Sequence, residues 1–353
     1  MTERVYLDWN ATAPLRPEAR ATMIAAMDVV GNPSSVHAEG RAAKALVERA
    51  RAEVAAAVGC QPAEVVFTAG ATEAAGVLAA LPGAVVVEPT AHDALWSRAR
   101  ADGLAGAVTL AMGLANSETG IVIAPPVREG GVVRLGATEA GCLLLDVTQA
   151  VGRLPFSFAW SGADLAVLSA HKLGGPKGVG ALIVRRGLDV PPLATGGGQE
   201  MGRRSGTENV IGIAGFGAAI TAAMRDLDAG VWAEVEKLRN ILEAALASAA
   251  PETIFVGKDA PRLPNTSCFA TPGWKGETQV MQMDLAGYAI SAGSACSSGK
   301  VRTSRVLTAM GHDARTAGSA IRVSLGPTTT EDEVRGFCEA WLRQYEKFRR
   351  KAA

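Results

Sequence analysis

Short apolar runs and helix-period stretches alternate along the first two thirds of the chain. Residues 38–59, AEGRAAKALVERARAEVAAAVG, are Ala-rich, with Leu46, Val47, Val54 and Val58 at roughly helical spacing and Gly59 as a stop. AEVVFT (63–68) then reads as a buried strand, and AGATEAAGVLAAL (69–81) as a tight turn into a helix with Thr72 at its N-cap. GAVVVEP (83–89), GCLLLDVTQAVG (141–152) and ADLAVLSAHKLGG (163–175) repeat one format, an apolar strand followed by polar residues at its carboxyl end. Strands without polar alternation, interleaved with helices, predict a mostly parallel sheet covered on both faces.

The pattern changes after the Gly-rich stretch ATGGGQEMGRRSGTEN (194–209). Residues 229–249 read as one long amphipathic helix, and NTSCFAT (265–271) and SAIRVSLG (319–326) as strands among helical segments. The expectation is an α/β protein of two domains: a large one over 14–228, and a smaller α+β one formed by 1–13 with 229–353.

Composition narrows the function without naming it. The chain has 353 residues, 48% of them apolar, enough for a sizeable core. Lys plus Arg and Asp plus Glu number 35 each, so no bulk field attracts nucleic acid or an anionic membrane. The opening MTERVYLDWN is charged early and has no apolar h-region, and the chain shows no run of 18 apolar residues; neither a signal peptide nor a membrane span is expected. The five cysteines, Cys60, Cys142, Cys268, Cys296 and Cys338, form no CxxC pair. Free thiols fit a reducing compartment, the cytoplasm. The four histidines match no metal-ligand spacing.

Candidate chemistry gathers at strand ends, where open α/β sheets bind ligands. TAGATE (68–73) is either an ordinary capped helix start or a phosphate cradle of small residues and free N–H groups. Asp146, directly after CLLL, either caps the next turn or pairs with a protonated ring nitrogen; Gln149 follows it. Lys172, in SAHKLGGPKGVG (169–180), is either a surface lysine or, in a partly apolar pocket, an amine available for a Schiff base. His92, past the VVVEP strand, is either a structural donor or an acid–base group. Together a phosphate cradle, a ring-nitrogen acid and an amine are what pyridoxal 5'-phosphate requires.

The resemblance is carried by YLDWNATAP (6–14), GNPSSVHAEGRAAK (31–44), VVFTAGATEA (65–74), NSETG (116–120), DVTQAVG (146–152), SAHKLGGPKGVGAL (169–182), GGGQEMGRRSGTEN (196–209), SAGSACSSG (291–299) and SAIRVSLG (319–326). In order and spacing these resemble the cysteine desulfurases of the NifS/IscS-like group, within the class V aminotransferases and the fold-type I pyridoxal phosphate enzymes. That resemblance implies a seven-stranded-type sheet in the large domain. It implies that Lys172 carries the cofactor, Asp146 meets the pyridine nitrogen, Gln149 the ring hydroxyl, and His92 stacks and moves protons. Ala71, Thr72, Ser169 and His171 would hold the phosphate. Thr207 would reach the phosphate of a neighbouring subunit, which implies a homodimer, and Asn116 and Arg322 would take the carboxylate of L-cysteine.

Cys296 is the remaining piece. It sits among Ser, Ala and Gly, with no large apolar neighbour in sequence. By the resemblance it takes the substrate sulfur as a persulfide, leaving L-alanine, and a mobile loop over about 294–304 carries that sulfur to an acceptor protein, as in iron–sulfur cluster biogenesis. The distance from Cys296 to AIRVSLG is similar to that of the long-loop members. Ala91, Ser117 and Trp9 depart from the common pattern, and the stretch after TTTEDEV is shorter than the tail with which housekeeping members dock the iron–sulfur scaffold, so the resemblance does not carry that partner over. The competing readings are a selenocysteine lyase or aminotransferase of the same fold, and a non-catalytic sulfur carrier.

Overall fold

The computed structural model describes residues 4–101, 106–293 and 303–352. Two compact units emerge: one of residues 12–115 and 123–227, the other of 1–11, 116–122 and 228–353.

The larger unit is built on a six-stranded sheet in the order Val65–Thr68, Gly180–Val184, Leu165–Ser169, Cys142–Asp146, Val108–Gly113, Ala84–Val87. The last four strands run parallel to one another. Every residue of Val65–Thr68, Leu165–Ser169 and Gly180–Val184 is buried, so these strands read as continuous apolar runs. Gly180–Val184 is antiparallel to both its neighbours. Only residues 170–179 separate it from Leu165–Ser169, too few for a crossover helix to return the chain in parallel. The sheet is thus mixed, and among the described residues it has six strands where the resemblance implied seven. Beyond the edge strand Ala84–Val87 the chain makes one antiparallel bridge, Val85 to Arg100.

The helix Ala38–Val58 stops where Gly59 turns left-handed at φ 68°. The helix Val210–Asp228 is long and apolar enough to cross a membrane by length and composition, a candidate that the sequence reading did not register. Over half of its apolar window is buried within the protein. Its small residues explain why: a Cβ on Gly215 would come within 2.5 Å of Met23, and one on Gly217 within 2.8 Å of Ala50 Cα.

The second unit has a four-stranded sheet, Ile254–Phe255, Thr266–Ala270, Ala320–Ser324, Ser291–Ala292, antiparallel throughout. Helices Val231–Ala249, Gly276–Leu285 and Glu331–Ala352 accompany it. Trp341, fully buried, packs edge-on against Phe269 and stacks on Tyr345 with ring centroids 5.4 Å apart. Segment 116–122 joins this unit through Leu263 N–H on Gly120 O at 2.7 Å and a bridge between Ile121 and Arg262. Val5–Tyr6 pairs with Tyr288–Ala289.

Candidate active site

The carboxyl ends of strands in the larger unit, edge strands included, hold most of the residues singled out above. Strand register does the positioning. Thr68 pairs with Gly180 and Gly180 with Ser169, so the start of the 68–73 turn, the GVG stretch and Ser169 form one row across three strands. Asp146 pairs with Val167 on the next strand, and Lys172 ends the 3-10 turn Ala170–Lys172 that follows it.

Glycine lets the row close. A Cβ on Gly180 would lie 2.6 Å from Gly70 Cα and 2.5 Å from Leu168 O, so backbone packs on backbone there. Gly70 itself adopts φ 157° and ψ 176°, and a Cβ on it would meet only Ser169 Oγ, at 3.6 Å. The turn is therefore open above and seated below, with small residues on its rim. A phosphate ester fits such a cradle, and the donor set beside it, a hydroxyl, an imidazole, an amine and a carboxylate, is the set that pyridoxal phosphate calls for.

Hydrogen bonds hold Asp146, Gln149, His171 and His92. Asp146 accepts the Thr148 N–H at 3.0 Å through Oδ1, a turn that fixes the carboxylate at the strand end. Gln149 is buried, and its Oε1 accepts from Arg153 Nη1 at 2.5 Å. Arg153 Nη2 donates to the carbonyl of Lys172 at 2.9 Å, so one buried arginine braces Gln149 and the lysine backbone together. Lys172 is half-buried. His171 Nδ1 lies 3.2 Å from Thr12 Oγ1. Burial, then the ammonium groups of Lys172 and Lys177, push His171 down to about 4, so its imidazole is neutral near pH 7. His92 is exposed and caps the helix Asp93–Trp96, with Nδ1 accepting the Ala94 N–H at 3.1 Å. That bond assigns the neutral ring its proton on Nε2. Thr72 and Thr207 are exposed, and Ala71 opens the short helix Ala71–Ala74.

Asn116 and Arg322 fall in the second unit and are brought together there. Asn116 Oδ1 accepts the N–H groups of Glu118 and Thr119 at 2.9 and 2.8 Å. The carbonyl of the next residue, Ser117, accepts from Arg322 Nη1 at 3.0 Å. In AIRVSLG, Arg322 alternates with Ile321 and Val323, a spacing that turns it away from their apolar face, yet Arg322 is only 6% exposed. Its Nη2 pairs with Asp8 at 2.7 Å, and Ser291 Oγ donates to the other Asp8 oxygen at 2.8 Å. Arg322 Nε is buried with no partner among the described residues.

Sequence reasoning passed over Asp8, Ser291 and Arg153. Asp8 lies within YLDWNATAP, but nothing local marks it as the partner of an arginine 314 positions away. Cys296 lies outside the described residues, as does most of the 294–304 loop. The other four cysteines are free thiols, and burial raises each of them, Cys60 to about 12 and Cys142 and Cys338 to about 11, which makes them poor nucleophiles.

The Aminotransferase class-V family profile matches residues 5–92 and 105–337, so the chain belongs to the class-V aminotransferase family. Curated proteins similar to this chain include cysteine desulfurases. A cysteine desulfurase of Frankia sp. (strain EuIK1) is 42% identical, over 94% of this chain and 88% of its own. An IscS-like cysteine desulfurase of Mycobacterium tuberculosis (strain ATCC 25618 / H37Rv) is 35% identical, over 93% of each. Among solved structures, a NifS-like protein from Rickettsia africae ESF-5 superposes with a TM-score of 0.84 at 28% identity, covering 98% of this chain and all of that one.

Proposed function

We propose that this chain is a pyridoxal phosphate-dependent cysteine desulfurase that converts L-cysteine to L-alanine and holds the sulfur on Cys296. The observation that carries the reading is the row at the sheet's carboxyl edge, where the open 68–73 turn, Ser169, Asp146 and Lys172 come from neighbouring strands of one unit. The desulfurase relatives, at 35–42% identity over nearly the whole chain, support the choice of reaction.

Bound there, the cofactor supplies a ring that accepts the electrons of a bond broken at the substrate Cα. The chain supplies the rest. The Lys172 amine holds the cofactor's aldehyde, and Asp146 keeps the ring nitrogen protonated. Gln149, braced by Arg153, offers its amide to the ring hydroxyl. Ser169, Ala71, Thr72 and neutral His171 donate to the phosphate. The Arg322 guanidinium and Asn116 receive the substrate carboxylate. His92, with its proton on Nε2, would stack on the ring and move protons. The Cys296 thiolate attacks the substrate sulfur. The carbon–sulfur bond breaks, the sulfur remains on Cys296 as a persulfide, and the three-carbon remainder takes up protons and leaves as L-alanine.

Two copies act together, each offering Thr207 to the phosphate held by the other. The setting is the cytoplasm, and the persulfide passes to a sulfur-acceptor protein, with neither nucleic acid nor membrane required.

The test is spectroscopic and chemical. The purified protein shows the visible band of lysine-bound pyridoxal phosphate and yields L-alanine from L-cysteine. Lys172→Ala abolishes the band. Cys296→Ser keeps the band and loses sulfide release. A Cys296→Ser protein releasing sulfide at the native rate refutes the persulfide role, and a protein that cannot be loaded with the cofactor refutes the whole reading.

A further inference from the structure

Two carboxylates tie the Gly-rich 194–209 stretch to the strand and turn of the candidate cradle. Glu200, buried, grips Arg51 with both oxygens at 2.8 Å and accepts the Phe67 N–H at 2.7 Å. Arg51 also donates to Val65 O at 2.7 Å and lies 4.9 Å from the Phe67 ring centroid. Glu73, in the helix that leaves the turn, accepts the Ala69 N–H at 2.6 Å and the Arg204 Nε at 2.9 Å, one on each oxygen. Each carboxylate thus joins an arginine to a backbone N–H, at Phe67 and at Ala69 of one segment.

Between the two ties, Glu200 and Met201 hold φ at 49° and 57°. Left-handed backbone at two successive non-glycine residues stores strain and persists only where its surroundings dictate it. The base of the stretch is closed by Leu193 N–H on Arg203 O at 2.8 Å and Ser205 N–H on Ala194 O at 3.0 Å. Thr207 follows Arg204 by three residues. The path from turn to threonine is short: Ala69, Glu73, Arg204, Thr207.

We infer that Glu73 and Arg204 are positioning residues: they fasten the loop carrying Thr207 to the phosphate turn, so that the seating of one subunit's cradle governs how its threonine is offered to a second copy. The inference rests on the cofactor and dimer reading above. Charge and shape both matter to the tie. Glutamine at 73 has one acceptor oxygen for two donors, so either Ala69 N–H or Arg204 loses its partner. Lysine at 204 keeps the charge but not the planar guanidinium.

The experiment titrates cofactor-free full-length protein with pyridoxal phosphate, following the visible band. It compares wild type, Glu73→Gln, Thr207→Ala and the double variant, with the unfolding midpoint of each cofactor-free protein as a control. Glu73→Gln is expected to raise the dissociation constant about tenfold, or about 1.4 kcal/mol, with a midpoint lowered only slightly by the lost bond. The double variant is expected to fall well short of the product of the two single effects, because both act through Thr207. Arg204→Lys is expected to bind more tightly than Arg204→Ala. If Glu73→Gln does not fold, Arg204→Lys with Thr207→Ala gives the same cycle. A folded Glu73→Gln with wild-type affinity, or singles that multiply in the double, overturns the inference. Wild-type protein that binds no pyridoxal phosphate overturns the cofactor reading and takes this one with it.

Discussion

Gly180→Ala isolates the seating of the turn from every catalytic group. The new methyl would lie 2.5 Å from Leu168 O, 2.6 Å from Gly70 Cα and 2.8 Å from Gly70 C. All three are backbone atoms, so no flexible side chain can yield. Reaching an ordinary contact of 3.4 Å at Gly70 Cα requires a shift of about 0.8 Å. A shift of that size carries a hydrogen bond of about 2.9 Å to about 3.7 Å, outside bonding range. Losing one such bond to a charged phosphate, at about 1.5–3 kcal/mol, weakens cofactor binding roughly 10- to 200-fold. Overpacking should also cost the cofactor-free protein about 1–3 kcal/mol. Gly178→Ala is the matched control: φ there is +75°, but its Cβ would meet nothing within 4 Å. It should lose about 1–2 kcal/mol of stability from the left-handed backbone and bind the cofactor as wild type does. Denaturant unfolding of the cofactor-free proteins and titration with pyridoxal phosphate measure both terms. Unchanged affinity in Gly180→Ala would refute the argument that this crossing seats the cradle.

Arg322→Lys should leave the cofactor band intact and raise KM for L-cysteine about 10- to 200-fold, since a fork of charged hydrogen bonds is replaced by a point charge; steady-state kinetics check it, and an unchanged KM counts against the carboxylate role. Asp146→Asn should keep the fold and lose nearly all turnover, read by alanine formation, because a neutral amide does not hold the ring nitrogen protonated. His171, lowered to about 4, binds a proton in the unfolded chain below about 6.5 but not in the folded one until about 4. The unfolded state thus takes up more protons in that window, so stability falls as pH drops from 6.5 towards 4. His171→Asn should flatten this slope in unfolding of the cofactor-free protein.

The strands of the large sheet were legible because they are buried on both faces, so VVFT, LLL and LAVLS stand out as unbroken apolar runs. Direction was not: GALIV reads the same whether its strand runs parallel or antiparallel, and only the ten-residue return from Ser169 decides it. The excursion of 116–122 into the second unit depends on pairing with Leu263 and Arg262, far away in sequence, and no local pattern announces it. Arg322 shows a limit of alternation. All five residues of its strand are buried, so pointing away from the apolar face does not mean pointing to water. The residues proposed to meet the cofactor were readable as polar groups at strand ends. The groups that brace them were not, because Asp8, Arg153 and Glu73 act through partners that only the fold brings near.

The central claim is that Lys172 and Cys296 serve one substrate molecule. Cofactor-loaded protein, mixed with one equivalent of L-cysteine and no acceptor, then digested and weighed by mass spectrometry, tests it directly. The account predicts one added sulfur atom on the peptide containing Cys296, an equal amount of L-alanine, and neither in Lys172→Ala. Alanine without sulfur on Cys296, or sulfur on Cys60, Cys142, Cys268 or Cys338 instead, would contradict it.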